Sequence, residues 1–365
     1  MARISVKTAS GRYPVIVGER ASEQIAELVA GCLPKGRLFV FYDAQFYGLH
    51  GRQLSRHLGV PASRVAELVL PPGERTKSTA HLKRLHDYML SSGISRSDLV
   101  LACGGGVTTD LVGYAAATVL RGVRWAAVPT TLIGQVDAAI GGKTGINHRL
   151  GKNLIGAFWQ PEFVCADTVY LATLPRRELT GGLGELIKYA GLIGGDTVAD
   201  LTAYLAGETH YQPGRLSRLV RRCVRYKASI VAEDERDRGV RMYLNLGHTF
   251  AHAIETVLGY GRLRHGEAVI LGLAMALDLS CRYEPRARAR LEDYDSLVGR
   301  ALRLIPYRKI DVADVLAALA YDKKREAGDQ RFVLLAAPGE PLLRKDVKRT
   351  WIRSAIGSAL KRYAR

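Results

Sequence analysis

Apolar residues in the first half of the chain come in short unbroken blocks. RLFVFYD (Arg37 to Asp43), LVLACGG (Leu99 to Gly105) and WAAVPTT (Trp125 to Thr131) are bounded by glycine or polar residues and separated by segments of helical periodicity. Such blocks predict buried strands, and their alternation with helices predicts an α/β domain with a largely parallel sheet. The opening stretch, MARISVKTASGRYPVIVGER, reads as a strand hairpin. Near residue 178 the period changes. LGELIKYAGLI, RLSRLVRRCVRYKASIVAE, HTFAHAIETVL, EAVILGLAMALDLSCR and VADVLAALAYDKK all carry apolar residues at helical spacing. Two domains are expected, residues 1–178 as α/β and residues 179–365 as all-α, with no internal repeat and no low-complexity linker.

With 47% hydrophobic residues over 365 positions, each half can bury its own core. No apolar run reaches the length of about 18 residues that a membrane span needs. The five cysteines, Cys32, Cys103, Cys165, Cys223 and Cys281, are odd in number and lack CxxC spacing, so reduced thiols fit better than a disulfide framework and a cytoplasmic location is expected. Charge adds something new. Lys and Arg number 53 against 35 Asp and Glu, and the balance of +18 suggests an anionic partner: nucleic acid, a membrane surface or a phosphorylated small molecule. The densest basic tail, RKDVKRTWIRSAIGSALKRYAR from Arg344, is amphipathic, with Trp351, Ile352, Ala355, Ile356, Ala359 and Leu360 at helical spacing. Its charges read as a solvated face, and no RNA- or DNA-binding module accompanies them. Neither nucleic acid nor a membrane is the expected partner.

Candidate chemistry lies where polar residues interrupt these patterns. His248 and His252 stand four residues apart in LNLGHTFAHAIE, on one helical face, and His265 follows in RHGEA. Together they form a partial ligand set for a zinc-type divalent metal, with at least one carboxylate missing. Ordinary hydrogen-bonded histidines at helix ends fit the same spacing. In GLGELIKYA, Glu185 could be the missing carboxylate, and an i,i+3 ion pair with Lys188 would look the same in sequence. CGGGVTTD, Cys103 to Asp110, follows a strand and opens a helix, where backbone N–H groups and the helix dipole suit a pyrophosphate, although close helix packing also requires glycine. Asp43 at a strand end, and Glu74 and Lys77 in PGERTK, could bind ribose hydroxyls or serve as turn and surface residues. PTTLIGQVDAAIGGKTGINHRLGKNLIGAF, Pro129 to Phe158, interleaves glycines with Asp137, Lys143, Lys152 and Asn153. Converging ammonium groups and an oriented amide suit a phosphorylated ligand, and a solvated basic loop is the plainer alternative.

In order along the chain, GGGVTTDLVGYAAAT, RGVRWAAVPTTL, GGKTGIN, GKNLIGAF, GELIKY, NLGHTFAHAIE and HGEAV resemble the 3-dehydroquinate synthases and the wider sugar phosphate cyclase family. The resemblance runs from PGERTK near residue 73 to DKK at Asp322 to Lys324. It implies a dehydroquinate synthase-like fold, a Rossmann-like NAD-binding domain followed by a helical metal- and substrate-binding domain, in a homodimeric enzyme that uses NAD and a divalent metal, zinc foremost and cobalt second. Carried over residue by residue, it implies Glu185, His248 and His265 as metal ligands, with His252 on the substrate side. NAD would lie against Asp43, Glu74, Lys77, Gly105, Gly106, Val107, Asp110, Thr130, Thr131, Lys143, Lys152 and Thr173.

The implied substrate is 3-deoxy-D-arabino-heptulosonate 7-phosphate (DAHP). A carbon–oxygen lyase of this kind makes 3-dehydroquinate and phosphate, on the shikimate route to aromatic amino acids, by transient oxidation with NAD, β-elimination, reduction and intramolecular aldol closure. Lys152, Asn153, His252, Lys324 or its neighbour Lys323, and Arg121 from across the dimer would face the phosphate, while Asp137, Lys143, Lys188 and Asn245 would orient hydroxyls and relay protons. Lys227 in RYKAS and Arg241 in RGVRMYLN match the pair that binds the substrate carboxylate. That pair favours dehydroquinate formation over inosose or valiolone synthesis and leaves aminodehydroquinate synthesis open. A metal-dependent alcohol or glycerol dehydrogenase is the more distant alternative. The chain departs from the commonest family pattern at Thr109, Ile133, Gly134, Gly184 and Ala190, all small or loop changes beside the site.

Overall fold

The unbroken apolar blocks become inner strands of a seven-stranded sheet. The computed structural model describes residues 1–207, 211–259, 261–325 and 330–364, the side chains of 322–325 excepted. Its chain divides into two units, Met1–Pro175 with Tyr211–Arg236, and Arg176–His210 with Asp237–Arg365. The first unit holds β1 (Ala2–Thr8), β2 (Gly11–Gly18), β3 (Leu38–Asp43), β4 (Val65–Leu70), β5 (Leu99–Gly104), β6 (Arg124–Pro129), β7 (Lys143–His148), β8 (Gly151–Phe158) and β9 (Val164–Asp167). The sheet runs β1-β2-β9-β6-β5-β3-β4, and only its β1–β2 pair, the expected hairpin, is antiparallel. β5 is buried at every position and β3 at all but Asp43. A strand covered on both faces has no polar face to show, which is why these segments lack alternation in sequence.

From β3 the chain moves outward to β4, then returns on the other side of β3 as β5. Such a reversal leaves a crevice at the carboxyl ends of the two central strands. Asp43 ends β3 and Gly104 ends β5, followed by the helix Gly106–Thr118. Thr109, one of the departures from the family pattern, is buried in that helix, and its hydroxyl donates to the Gly106 carbonyl at 3.2 Å.

Two parts of this unit add to the sequence expectation or differ from it. The glycine-rich stretch after Pro129 is ordered: a short helical turn, Gly134–Ala138, leads into the antiparallel hairpin β7–β8. Glycine is required there by contact rather than by flexibility, since a Cβ on Gly156 would stand 2.2 Å from the Thr144 carbonyl oxygen. The helix Pro213–Glu233, placed by a division at residue 178 with the helical half, belongs instead to the first unit. Its buried stripe, including Leu216, Leu219, Val220 and Val224, covers β1, β2 and the Gly134–Ala138 turn.

In the second unit the helix His265–Tyr283 is buried almost end to end, and the helices Arg176–Ile193, His248–Leu258 and Arg349–Tyr363 pack around it. The last is the amphipathic basic tail, with Ile352, Ala355, Ile356 and Ala359 buried as its period requires. One addition corrects the all-α expectation: FVLLAA and EPLLR pair as β10 (Phe332–Ala337) and β11 (Glu340–Arg344). Gly339 turns this hairpin at φ 89°, and its N–H donates to the Gly191 carbonyl at 2.8 Å.

The central helix touches its neighbours through backbone. A Cβ on Gly266 would stand 1.6 Å from the Gly181 carbonyl oxygen, whereas a Cβ on Gly181 would meet only the Arg264 side chain, at 3.7 Å. Gly266→Ala is therefore expected to destabilise by about 1–3 kcal/mol through overpacking. Gly181→Ala, on the facing helix, should hold or raise stability by up to about 1 kcal/mol through helix propensity. Urea unfolding of both variants checks the contrast, and equal midpoints would contradict this packing.

Candidate active site

Three groups of the second unit converge. Glu185 comes from the helix Arg176–Ile193, while His248 and His265 each open a helix. One ligand atom from each lies within 4.8 Å of the others. Nε2 of His248 is 3.4 Å, and Nε2 of His265 3.5 Å, from the same carboxylate oxygen, Oε1 of Glu185. The other ring nitrogens face away: Nδ1 of His248 is 3.2 Å from the Leu246 carbonyl and Nδ1 of His265 is 3.4 Å from Oε2 of Glu255. Oε2 of Glu185 lies 2.5 Å from Nζ of buried Lys188 without hydrogen-bond geometry. Oε1 of Glu185 thus faces the two imidazoles, while Oε2 lies against the Lys188 ammonium. His252 lies beside the group, its ring 5.8 Å from that of His248, and is not one of the three converging residues.

Burial by itself would push the Glu185 carboxyl up. The Lys188 ammonium and the imidazoles of His248 and His265 outweigh it and hold the group well below the usual carboxylate range. For His265 burial pulls downward, and hydrogen bonds to Glu185 and Glu255 with their charges raise it to about 9. Two imidazole nitrogens and one ionised carboxylate are a donor set that a zinc-type cation fits.

A second network lies in the first unit. The Lys77 ammonium, buried, donates to both Asp110 Oδ2 and Asn153 Oδ1. Asn147 donates to Glu74 at 2.7 Å and accepts from the Asn153 backbone N–H at 3.0 Å. Burial pushes the Asp110 carboxyl upward against the opposing pull of Lys77. Lys227, also buried, donates to Asp137 at the backbone carbonyl (2.6 Å) and at Oδ1 (2.7 Å). Asp43 accepts from the N–H groups of Gln45 and Phe46, fixing the turn after β3. A Cβ on Gly104 would meet Asp43 Cβ at 3.0 Å and one on Gly105 would meet Thr131 at 2.9 Å, so the glycine turn closes directly over Asp43 and Thr131. Thr130 is buried, and Thr173 Oγ1 pairs with His50 Nε2 at 2.8 Å. A glycine turn opening a helix at the sheet reversal, flanked by carboxylates, fits a dinucleotide.

The other predicted residues differ in burial. Arg241 is buried, Asn245, Lys143 and Arg121 are exposed, and Lys152 is half-buried. The side chain of Lys324, like that of Lys323, lies outside the described residues. Asn147 and Glu255 were not singled out from sequence. Asn147 sits inside GGKTGIN, and Glu255 falls seven residues after His248, on the same helical face.

Family models described as 3-dehydroquinate synthase N-terminal and 3-dehydroquinate synthase C-terminal match residues 67–181 and 182–325. The chain belongs to the 3-dehydroquinate synthase family. It is 43% identical to the 3-dehydroquinate synthase of Rhodospirillum rubrum, over 98% of this chain and 94% of that one. Among solved structures, 2-deoxy-scyllo-inosose synthase complexed with carbaglucose-6-phosphate, NAD+ and Co2+ aligns with TM-score 0.86 at 25% identity, covering 97% of this chain and 99% of that chain. The 2-epi-5-epi-valiolone synthase of Streptomyces hygroscopicus with NAD+ and Zn2+ bound aligns with TM-score 0.84 at 30% identity, covering 96% and 97%. Within this family the fold matches the expected α/β unit and helical unit, the β10–β11 hairpin apart.

The raised His265 sets a pH dependence. Without metal its imidazole is protonated below about pH 9, so an ion entering between Glu185, His248 and His265 must displace that proton. Zinc affinity of the metal-free protein is expected to rise with pH up to about 9, with proton release detectable by calorimetry in buffers of different ionisation enthalpy. Affinity that is flat between pH 7 and 9 would contradict the arrangement. The same raised value contributes stability to the metal-free protein that is complete below the ordinary 6.5 and lost as pH rises through about 9.

Proposed function

We propose that this chain converts DAHP to 3-dehydroquinate and phosphate, a step of aromatic amino acid biosynthesis, using NAD and a divalent metal, zinc or cobalt. The observation that carries this reading is 43% identity to a 3-dehydroquinate synthase across 98% of the chain. The N,N,O donor set of one unit and the glycine turn of the other support it, as do the NAD+ and Co2+ or Zn2+ named with the two cyclase structures.

Glu185, His248 and His265 hold the metal, and the crevice at Asp43 and Gly104–Gly106, with Glu74, Lys77 and Asp110, holds NAD. When bound, NAD supplies a hydride acceptor that later returns its hydride, and the metal supplies Lewis acidity at the reacting hydroxyl. The remaining work falls to the chain's own side chains. Asn153 has its Oδ1 occupied by Lys77, which leaves the Nδ2 hydrogens to donate to phosphate, the role it shares with Lys152, His252, Lys324 and Arg121 of a second copy. Lys227 is desolvated and fixed on Asp137, so it meets the substrate carboxylate with little further ordering, and Arg241 is its buried partner in that role. Asp137, Lys143, Lys188 and Asn245 orient hydroxyls and relay protons.

The active species on this reading is a homodimer in the cytoplasm. Among the described residues no helix is long and apolar enough to cross a membrane, and the five cysteines are free thiols, two of them partly exposed.

Purified protein supplied with DAHP, NAD and zinc should release phosphate and form 3-dehydroquinate, and a chelator should stop both. No phosphate release, or net NADH accumulation from a simple alcohol, would overturn the assignment. Arg241→Ala is expected to raise KM for DAHP by about ten- to hundredfold, the cost of one charged hydrogen-bonded partner, with a smaller change in kcat. Steady-state kinetics on folded variant decides, and an unchanged KM would remove Arg241 from the carboxylate pair.

A further inference from the structure

The two histidines of the metal group present Nε2 to Glu185 and hold Nδ1 in different ways. His248 Nδ1 faces a neutral backbone carbonyl, that of Leu246, whereas His265 Nδ1 faces the carboxylate of Glu255, which is 4% exposed. A neutral imidazole that ligates through Nε2 must carry its proton on Nδ1, so the acceptor at Nδ1 fixes both the tautomer and the ring plane. Glu255 reaches this place because it lies on the same face of the helix His248–Leu258 as His248 and His252. Both ligating histidines open helices, where the backbone contributes a partial positive charge. A cation seated there needs more negative charge than Glu185 alone supplies, because Lys188 already lies 2.5 Å from that carboxylate.

We infer that Glu255 is a positioning residue for the metal: its carboxylate accepts from His265 Nδ1–H, orients the ring and supplies the second negative charge of the site. This rests on the metal reading above, and its test separates the two. Metal-free parent protein, Glu255→Ala, Glu255→Gln and His265→Ala are titrated with zinc against a chromophoric chelator, and with cobalt by visible absorption. Far-UV circular dichroism establishes that each is folded. Glu255→Ala is expected to bind zinc about ten- to hundredfold more weakly than the parent and to shift the cobalt bands. Glu255→Gln, which keeps an acceptor but no charge, should fall between the two. Should Glu255→Ala fail to fold, Glu255→Gln carries the test alone. Parent-like zinc affinity in Glu255→Ala, or in Glu255→Gln where that variant stands alone, overturns the inference if His265→Ala has lost the metal. Parent-like affinity in His265→Ala overturns the metal reading itself.

Discussion

Glu185, His248 and His265, from three helices, bring a ligand atom each within 4.8 Å of one another where those helices touch through their backbones. Each site residue adjoins a glycine at such a contact. His265 precedes Gly266, which faces the Gly181 carbonyl, and His248 follows Gly247, whose carbonyl oxygen stands 2.2 Å from where a Cβ on Gly272 would be. Glu185 follows Gly184, where a Cβ would meet the Gly266 carbonyl oxygen at 2.2 Å. Side chains at these contacts would push the helices apart and shift the groups they carry. Packing and chemistry are therefore one constraint here.

Closeness concentrates charge as well. Lys188 beside Glu185, Lys77 beside Asp110 and Lys227 beside Asp137 are all buried ammonium groups held by carboxylates. Burying such pairs costs desolvation that their mutual attraction often fails to recover, so they are poor candidates for stabilisers of the fold. Their consequence is preorganisation. An anion arriving at any one of these pairs would find a cation that has already lost its water and much of its rotamer freedom.

How much of this could be read from the sequence depended on what each segment's pattern encodes. β3 and β5 were legible because strands covered on both faces are uninterrupted apolar runs, and the grouping of Glu185, His248 and His265 because the family resemblance carried those three positions over together. The helix Pro213–Glu233 was legible as a helix but not as part of the α/β unit. Its period reveals which face is buried, and nothing in the period says against what. The hairpin β7–β8 was hidden by its own glycines, which lower strand propensity yet are demanded by the Gly145–Gly156 backbone approach. Glu255 is marked in sequence only by its spacing of seven from His248; its burial beside His265 comes from the packing of two helices.

Gly184 shows how the backbone constraint acts on sequence choice. The family resemblance implies alanine as the usual residue at this place, and here a Cβ would stand 2.2 Å from one carbonyl oxygen and 2.8 Å from the Cα of Gly266. Atoms that close cannot be relieved by rotating a side chain, since both partners are backbone. An alanine there requires the helix Arg176–Ile193 to draw back, carrying Glu185 with it away from His248 and His265. The glycine at 184 and the reach of Glu185 towards His248 and His265 are thus set together.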